Sequence, residues 1–152
     1  MTTTTTMAEV PGLLGSELGS SDWFVVTQEH VDQFAEATGD HQWIHVDVEK
    51  AKSGPFGGPI AHGYLTLSLL APLSSQVLVV TDTVMGVNYG LNKVRFLAPV
   101  RAGKRVRAHV ELASVERKDD NRFLTQQNIT VEIEGEDTPA LYAEWLGMTV
   151  VA

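Results

Sequence analysis

The rhythm of apolar and polar positions changes twice along the chain. After Thr27, Val31, Phe34, Ala35 and Thr38 recur at the i, i+3, i+4, i+7 spacing of one helical face, and Gly39 supplies a residue that tolerates a left-handed stop. The spacing predicts a capped helix that ends directly before Asp40. A second short helical turn is expected over residues 47–52, closed by Gly54-Pro55, and Gly57-Gly58-Pro59 then forces irregular backbone, so residues 39–63 read mostly as loop. From Tyr64 to Ala71 the chain is apolar on nearly every face, which marks a helix enclosed by the rest of the fold, and Pro72 is expected to kink or end it.

Beyond Val84 the period becomes two. Val106, Ala108, Val110 and Leu112 alternate with Arg105, Arg107, His109 and Glu111, and alternate positions from Phe123 to Ile133 form a second inward row. Long antiparallel strands follow, with a hairpin turn over 118–122, a further turn over 134–139 and a last strand over 141–151. Helices first and long strands afterwards define an α+β fold, a curved antiparallel sheet wrapped around a central helix. Residues 1–19 read as a tail and lead-in, and residues 20–152 as a single domain. The uncharged Met1–Met7 run is expected to fray.

Composition narrows the function. With 152 residues, 43% of them hydrophobic and 20% charged, the chain has the size and balance of one folded domain. Eleven basic residues against nineteen acidic ones leave a net charge of −8, which disfavours a nucleic-acid partner. The absence of cysteine excludes disulfides, thiolate zinc and a cysteine nucleophile, and fits a reducing compartment. Because the first residues carry neither a basic nor an apolar leader segment, a cytoplasmic location is expected. Thr66, Ser68 and Pro72 interrupt the long apolar stretch, so a buried helix is expected there rather than a membrane span.

Reactive side chains are densest in Asp40-His-Gln-Trp-Ile-His45-Val-Asp47, two carboxylates and two imidazoles on a loop after a helix. Such groups can supply an acid and a base near neutral pH, although an Asp after Gly also simply shapes turns. His41 and His45 stand four residues apart, but no third metal ligand follows at motif spacing. No metal and no cofactor is expected. Gly63 sits where irregular backbone enters the apolar helix; unpartnered N–H groups there suit a carbonyl oxygen that gains negative charge, and a Gly chosen only for tight packing reads equally well. Six basic residues, Lys93, Arg95, Arg101, Lys104, Arg105 and Arg107, fall in one acid-free interval. They would attract a polyphosphate ligand, or serve only as the solvated face of a strand.

Three blocks carry a resemblance: Phe34-Ala-Glu-Ala-Thr-Gly39-Asp40 with His45 and Asp47, then Gly58-Pro-Ile-Ala-His62-Gly63-Tyr64-Leu, then Asn88-Tyr-Gly90 with Lys93-Val-Arg95-Phe96 and Pro99-Val. In this order they resemble the MaoC-like dehydratases, or (R)-specific enoyl-CoA hydratases, of the short nodulation-protein-N-like type. The resemblance covers about residues 20 to 150. It implies a hot-dog fold, a homodimer, an acyl-CoA substrate, and no metal or redox cofactor. It also implies a catalytic pair, Asp40 and His45, and an oxyanion-holding N–H at Gly63. His62, Lys93 and Arg95 are the further candidates for binding substrate. The chain departs from the family pattern in having Gln42 and Trp43 where Asn and Pro are usual. Gln42 is expected to orient the loop by hydrogen bonds. A hot-dog acyl-CoA thioesterase and a non-catalytic acyl-CoA-binding subunit are the alternative readings.

Overall fold

Thr27 caps the first helix through both halves of a capping box: its Oγ1 accepts from the His30 N–H, and the His30 side chain accepts from the Thr27 N–H. The helix, α1 (Gln28–Thr38), stops at Gly39 with φ 81°, a left-handed conformation that costs glycine nothing. In this computed structural model, which describes residues 1–152, α1 is preceded by β1 (Thr3–Thr5), β2 (Glu17–Ser20) and β3 (Phe24–Val25). It is followed by α2 (Trp43–Val46), α3 (Val48–Lys52), α4 (Gly63–Ser68) and α5 (Leu70–Ser74). Four long or paired strands complete the chain after β4 (Leu78–Val80): β5 (Thr83–Phe96), β6 (Arg105–Arg117), β7 (Arg122–Ile133) and β8 (Leu141–Val151).

The main sheet runs in the order β2-β6-β7-β8-β5, and β3 adds to the same edge of β6. Every pairing in it is antiparallel. Its inner face carries the alternating rows read from the sequence, Val106, Ala108 and Val110 of β6 and Ile129, Val131 and Ile133 of β7, joined by Leu141 and Ala143 of β8. Leu70 and Leu73 of α5 pack onto those rows. Each such side chain contributes about 1.5–3 kcal/mol of apolar burial, which is why the helix is held against the sheet. This is the α+β hot-dog arrangement, a sheet curled around a central helix.

Three details differ from expectation. The central helix is broken at Leu69, three residues before Pro72, because Pro72 has no N–H to offer the Ser68 carbonyl; Pro72 itself sits in the first turn of α5, where that N–H is dispensable. The helix is also not enclosed all round, since Tyr64 is 69% exposed. The first residues do not fray: β1 pairs parallel with β4, and the Met7 N–H donates to Asp82 Oδ1 at 2.9 Å. Met7 and Val10 are buried against Leu112 in a second small cluster.

Candidate active site

The stop at Gly39 turns the chain so that Asp40 projects from a tight bend. Its N–H donates to Thr38 Oγ1 at 3.3 Å, and its Oδ1 accepts from the Gln42 N–H at 3.3 Å. One helical turn, α2, then brings His45 inward, where only 6% of it remains exposed. His45 Nδ1 lies 2.7 Å from the Ile60 carbonyl oxygen. A carbonyl can only accept, so Nδ1 carries the hydrogen and Nε2 keeps its lone pair. Burial holds the His45 pKa below its ordinary 6.5; the Ile60 carbonyl and Asp40 pull it back up, and His62 adds to the lowering. His45 is therefore a neutral acceptor beside a carboxylate acceptor.

Gly63 is the first residue of α4, and its N–H has no protein acceptor. A Cβ at this position would stand 3.1 Å from the Phe96 ring, so only glycine leaves the N–H open to a ligand without pushing that ring aside. Gly63 and His45 open onto one cavity of about 370 Å³, whose remaining wall is largely apolar, with Phe56, Ile60, Phe96, Leu97 and Val100 among its residues. Asp40 does not line this cavity but stands beside His45. An acceptor and a free N–H on an apolar wall, with a carboxylate next to the acceptor, can hold a water and a polarised carbonyl close together.

The other candidates are placed differently. His62 is buried behind the pair and bonds to the Asp40 main chain, with Nε2 2.9 Å from the Asp40 carbonyl oxygen. The Gln42 side chain makes no hydrogen bond; its main chain shapes the loop, with the Gln42 carbonyl accepting from the His45 N–H at 3.0 Å. Trp43 turns away from the cavity and packs on Gly54, beneath the Lys50 ammonium 4.6 Å from its ring centre. Neither the Gln42 nor the Trp43 side chain makes a hydrogen bond to Asp40 or to His45. Of the six clustered cations, Lys104, Arg105 and Arg107 are paired with Glu136, Glu134 and Glu132, and Arg101 donates to the Gly57 carbonyl. Lys93, Arg95 and Arg101 have no carboxylate partner, and the first two are exposed along β5. His41 faces Glu36 on the surface, and Asp47 caps α3. Sequence reasoning missed Ile60, whose contribution is a main-chain carbonyl, and Phe96, which lies inside the third block but carries no reactive group.

Asp40, His45 and His62 place ligand atoms within 4.8 Å of one another, a donor set that divalent cations use. The geometry does not suit one. The His45 and His62 rings are stacked, 3.8 Å between centroids and 22° between planes, so no ion can lie in both ring planes at bonding distance. One nitrogen of each ring is already committed to a carbonyl.

Residues 9–134 match the sequence profile of the MaoC like domain, and the chain belongs to that family. It is 49% identical to 3-hydroxyacyl-thioester dehydratase Z of Mycobacterium tuberculosis over 95% of each chain. It is 47% identical to Nodulation protein N of Rhizobium leguminosarum bv. viciae over 92% of this chain and 88% of that one. Among solved structures, the (R)-hydratase from A. caviae involved in PHA biosynthesis superposes with a TM-score of 0.69 at 25% identity, covering 86% of this chain and 95% of that one.

Proposed function

We propose that the protein is an (R)-specific enoyl-CoA hydratase, adding water reversibly to a trans-2-enoyl-CoA to give an (R)-3-hydroxyacyl-CoA. The observation that carries this reading is the pairing of two acceptors, the Asp40 carboxylate and the His45 ring, the second of which shares a cavity with the unpartnered Gly63 N–H. The kinship with a 3-hydroxyacyl-thioester dehydratase and an (R)-hydratase supports it.

The chemistry follows from the donors. A water that donates one hydrogen to Asp40 and the other to His45 Nε2 is left with a lone pair aimed outward. The thioester oxygen accepts from the Gly63 N–H, which makes C3 electrophilic. As the water oxygen bonds to C3, the C2–C3 π pair moves toward C2 and the thioester oxygen, and Asp40 takes a proton. The enolate-like charge is held at Gly63, and a proton returned from the pair to C2 completes hydration. Dehydration retraces the same path. No metal or redox cofactor enters the scheme.

Incubation with crotonyl-CoA tests the reading. Loss of enoyl-thioester absorbance without free thiol is expected; release of thiol would instead indicate a thioesterase, and no change a binding subunit.

The working form is proposed to be a homodimer in which residues 1–19 pack as a lead-in on a single domain spanning 20–152. The edge strand β5 has no neighbour on one side and exposes Val84, Met85, Val87, Tyr89 and Leu91. A second copy would pair that edge and cover those side chains. Sedimentation at micromolar concentration should give the dimer mass; a stable monomer would contradict it. Lys93 and Arg95 are proposed to attract the CoA phosphates. Raising ionic strength should then raise KM for an acyl-CoA more than for a pantetheine thioester that lacks the nucleotide, and equal dependence would remove them from the site. No helix is long and apolar enough to cross a membrane. The cysteine-free composition supports a cytoplasmic location.

A further inference from the structure

We propose that His62 is a positioning residue that locks the Asp40–His45 pair to the head of α4, through one hydrogen bond to the Asp40 main chain and one stacked face on the His45 ring. The inference rests on the reading of Asp40 and His45 as the pair that holds water. Asp40 sits on a short loop, and nothing in its own neighbourhood fixes how far it stands from Gly63. His62 does so from the adjoining position: its Nε2 lies 2.9 Å from the Asp40 carbonyl oxygen, a bond spanning 22 residues of chain. Its ring covers one face of His45 at 3.8 Å and is itself backed by Phe34, whose ring centre is 4.9 Å away. Asp40, His45 and the Gly63 N–H are thereby referred to one rigid point.

The hydrogen positions are forced. The Asp40 carbonyl can only accept, so His62 Nε2 carries a hydrogen and Nδ1 is the ring atom left over. That Nδ1 is buried without any partner, in a residue 3% exposed. An unsatisfied buried polar atom is costly, and a phenylalanine would fill the same space without it. Packing alone does not account for a histidine here; the Nε2–H bond to Asp40 does.

The stack also keeps water from the covered face of His45. The ionisable groups facing His45 are Asp40, from the loop after α1, and His62, at the head of α4; the rest of the cavity wall carries no charge. Burial is the largest influence holding the His45 pKa below 6.5, so the acid limb of wild-type kcat/KM should lie below that value, the ring losing its working lone pair only at lower pH.

Two variants separate the two contacts. His62→Phe keeps the buried ring and removes the donor: kcat should fall about tenfold to a hundredfold with KM little changed, and the acid limb should stay below 6.5 because burial, the largest influence on His45, is kept. His62→Asn keeps a donor and removes the ring: water reaches His45, and the acid limb should move up toward 6.5. Wild-type kcat in the first variant together with a wild-type acid limb in the second, both folded, would overturn the proposal. Two-bond proton–nitrogen NMR on the wild-type protein decides it independently of variant folding and of activity. It should show His62 protonated at Nε2 and His45 at Nδ1, with the His62 ring proton exchanging far more slowly than that of exposed His41. The opposite tautomer at His62, or exchange as fast as at His41, would refute it. If the wild type hydrates no enoyl-CoA, the functional reading fails while the tautomer result stands.

Discussion

Asp40→Asn lowers kcat for hydration by about a hundredfold or more, because it keeps the size and hydrogen-bonding capacity of the side chain while removing the carboxylate that takes the proton. His45→Ala does similar damage by removing the second acceptor. The two share one water, so their effects do not multiply: the double variant is little worse than either single one. Acyl-CoA affinity stays near wild type, since neither residue holds the nucleotide in this account. Steady-state kinetics of the three variants on crotonyl-CoA check all of this. Two losses that multiply, or a single variant that retains most activity, would dissolve the shared-water assignment and move attention to His41, Asp47 and His62.

The second large effect isolates one hydrogen. Gly63 occupies the first position of α4, where proline is tolerated, and His62 before it has φ −58° and ψ 137°, the extended backbone that a following proline prefers. Gly63→Pro therefore removes the N–H with little harm to the helix. Gly63→Ala supplies the control, because it adds the same Cβ against Phe96, 3.1 Å away, and keeps the N–H. Relative to the Ala variant, the Pro variant should lose a further hundredfold to thousandfold in kcat, the range seen when one oxyanion donor is deleted. Equal activity of the two would show that the Gly63 N–H does not hold the thioester oxygen.

What was legible in the sequence follows from where the physics is local. Thr27 and Gly39 bound α1 as read, because capping and a left-handed stop depend on neighbouring residues. The β6–β7 hairpin was legible because one face of each strand meets the core, so alternation is written into both. Strand β5 was harder to read: nearly all of it is exposed in a single chain, and no buried row marks its register. The pairing of Thr3–Thr5 with Leu78–Val80 was invisible, since partners 75 residues apart leave no local period. At the site, the density of Asp40, His41, His45 and Asp47 drew attention to the loop proposed to act. Residue type and spacing did not separate the members, and only the resemblance singled out Asp40 and His45: His45 points in, its Nδ1 against the Ile60 carbonyl, and His41 points out toward Glu36. The basic interval likewise did not separate its members. Three of its cations are answered by Glu132, Glu134 and Glu136, which lie close in space and about thirty residues away in sequence.

The most direct measurement is the identity of the product formed from crotonyl-CoA in deuterium oxide. Water added at C3 from the Asp40–His45 side, with the proton returned to C2 from the same pair, should give (R)-3-hydroxybutyryl-CoA carrying one deuterium at C2. Free CoA thiol, or the (S) alcohol, would contradict the account.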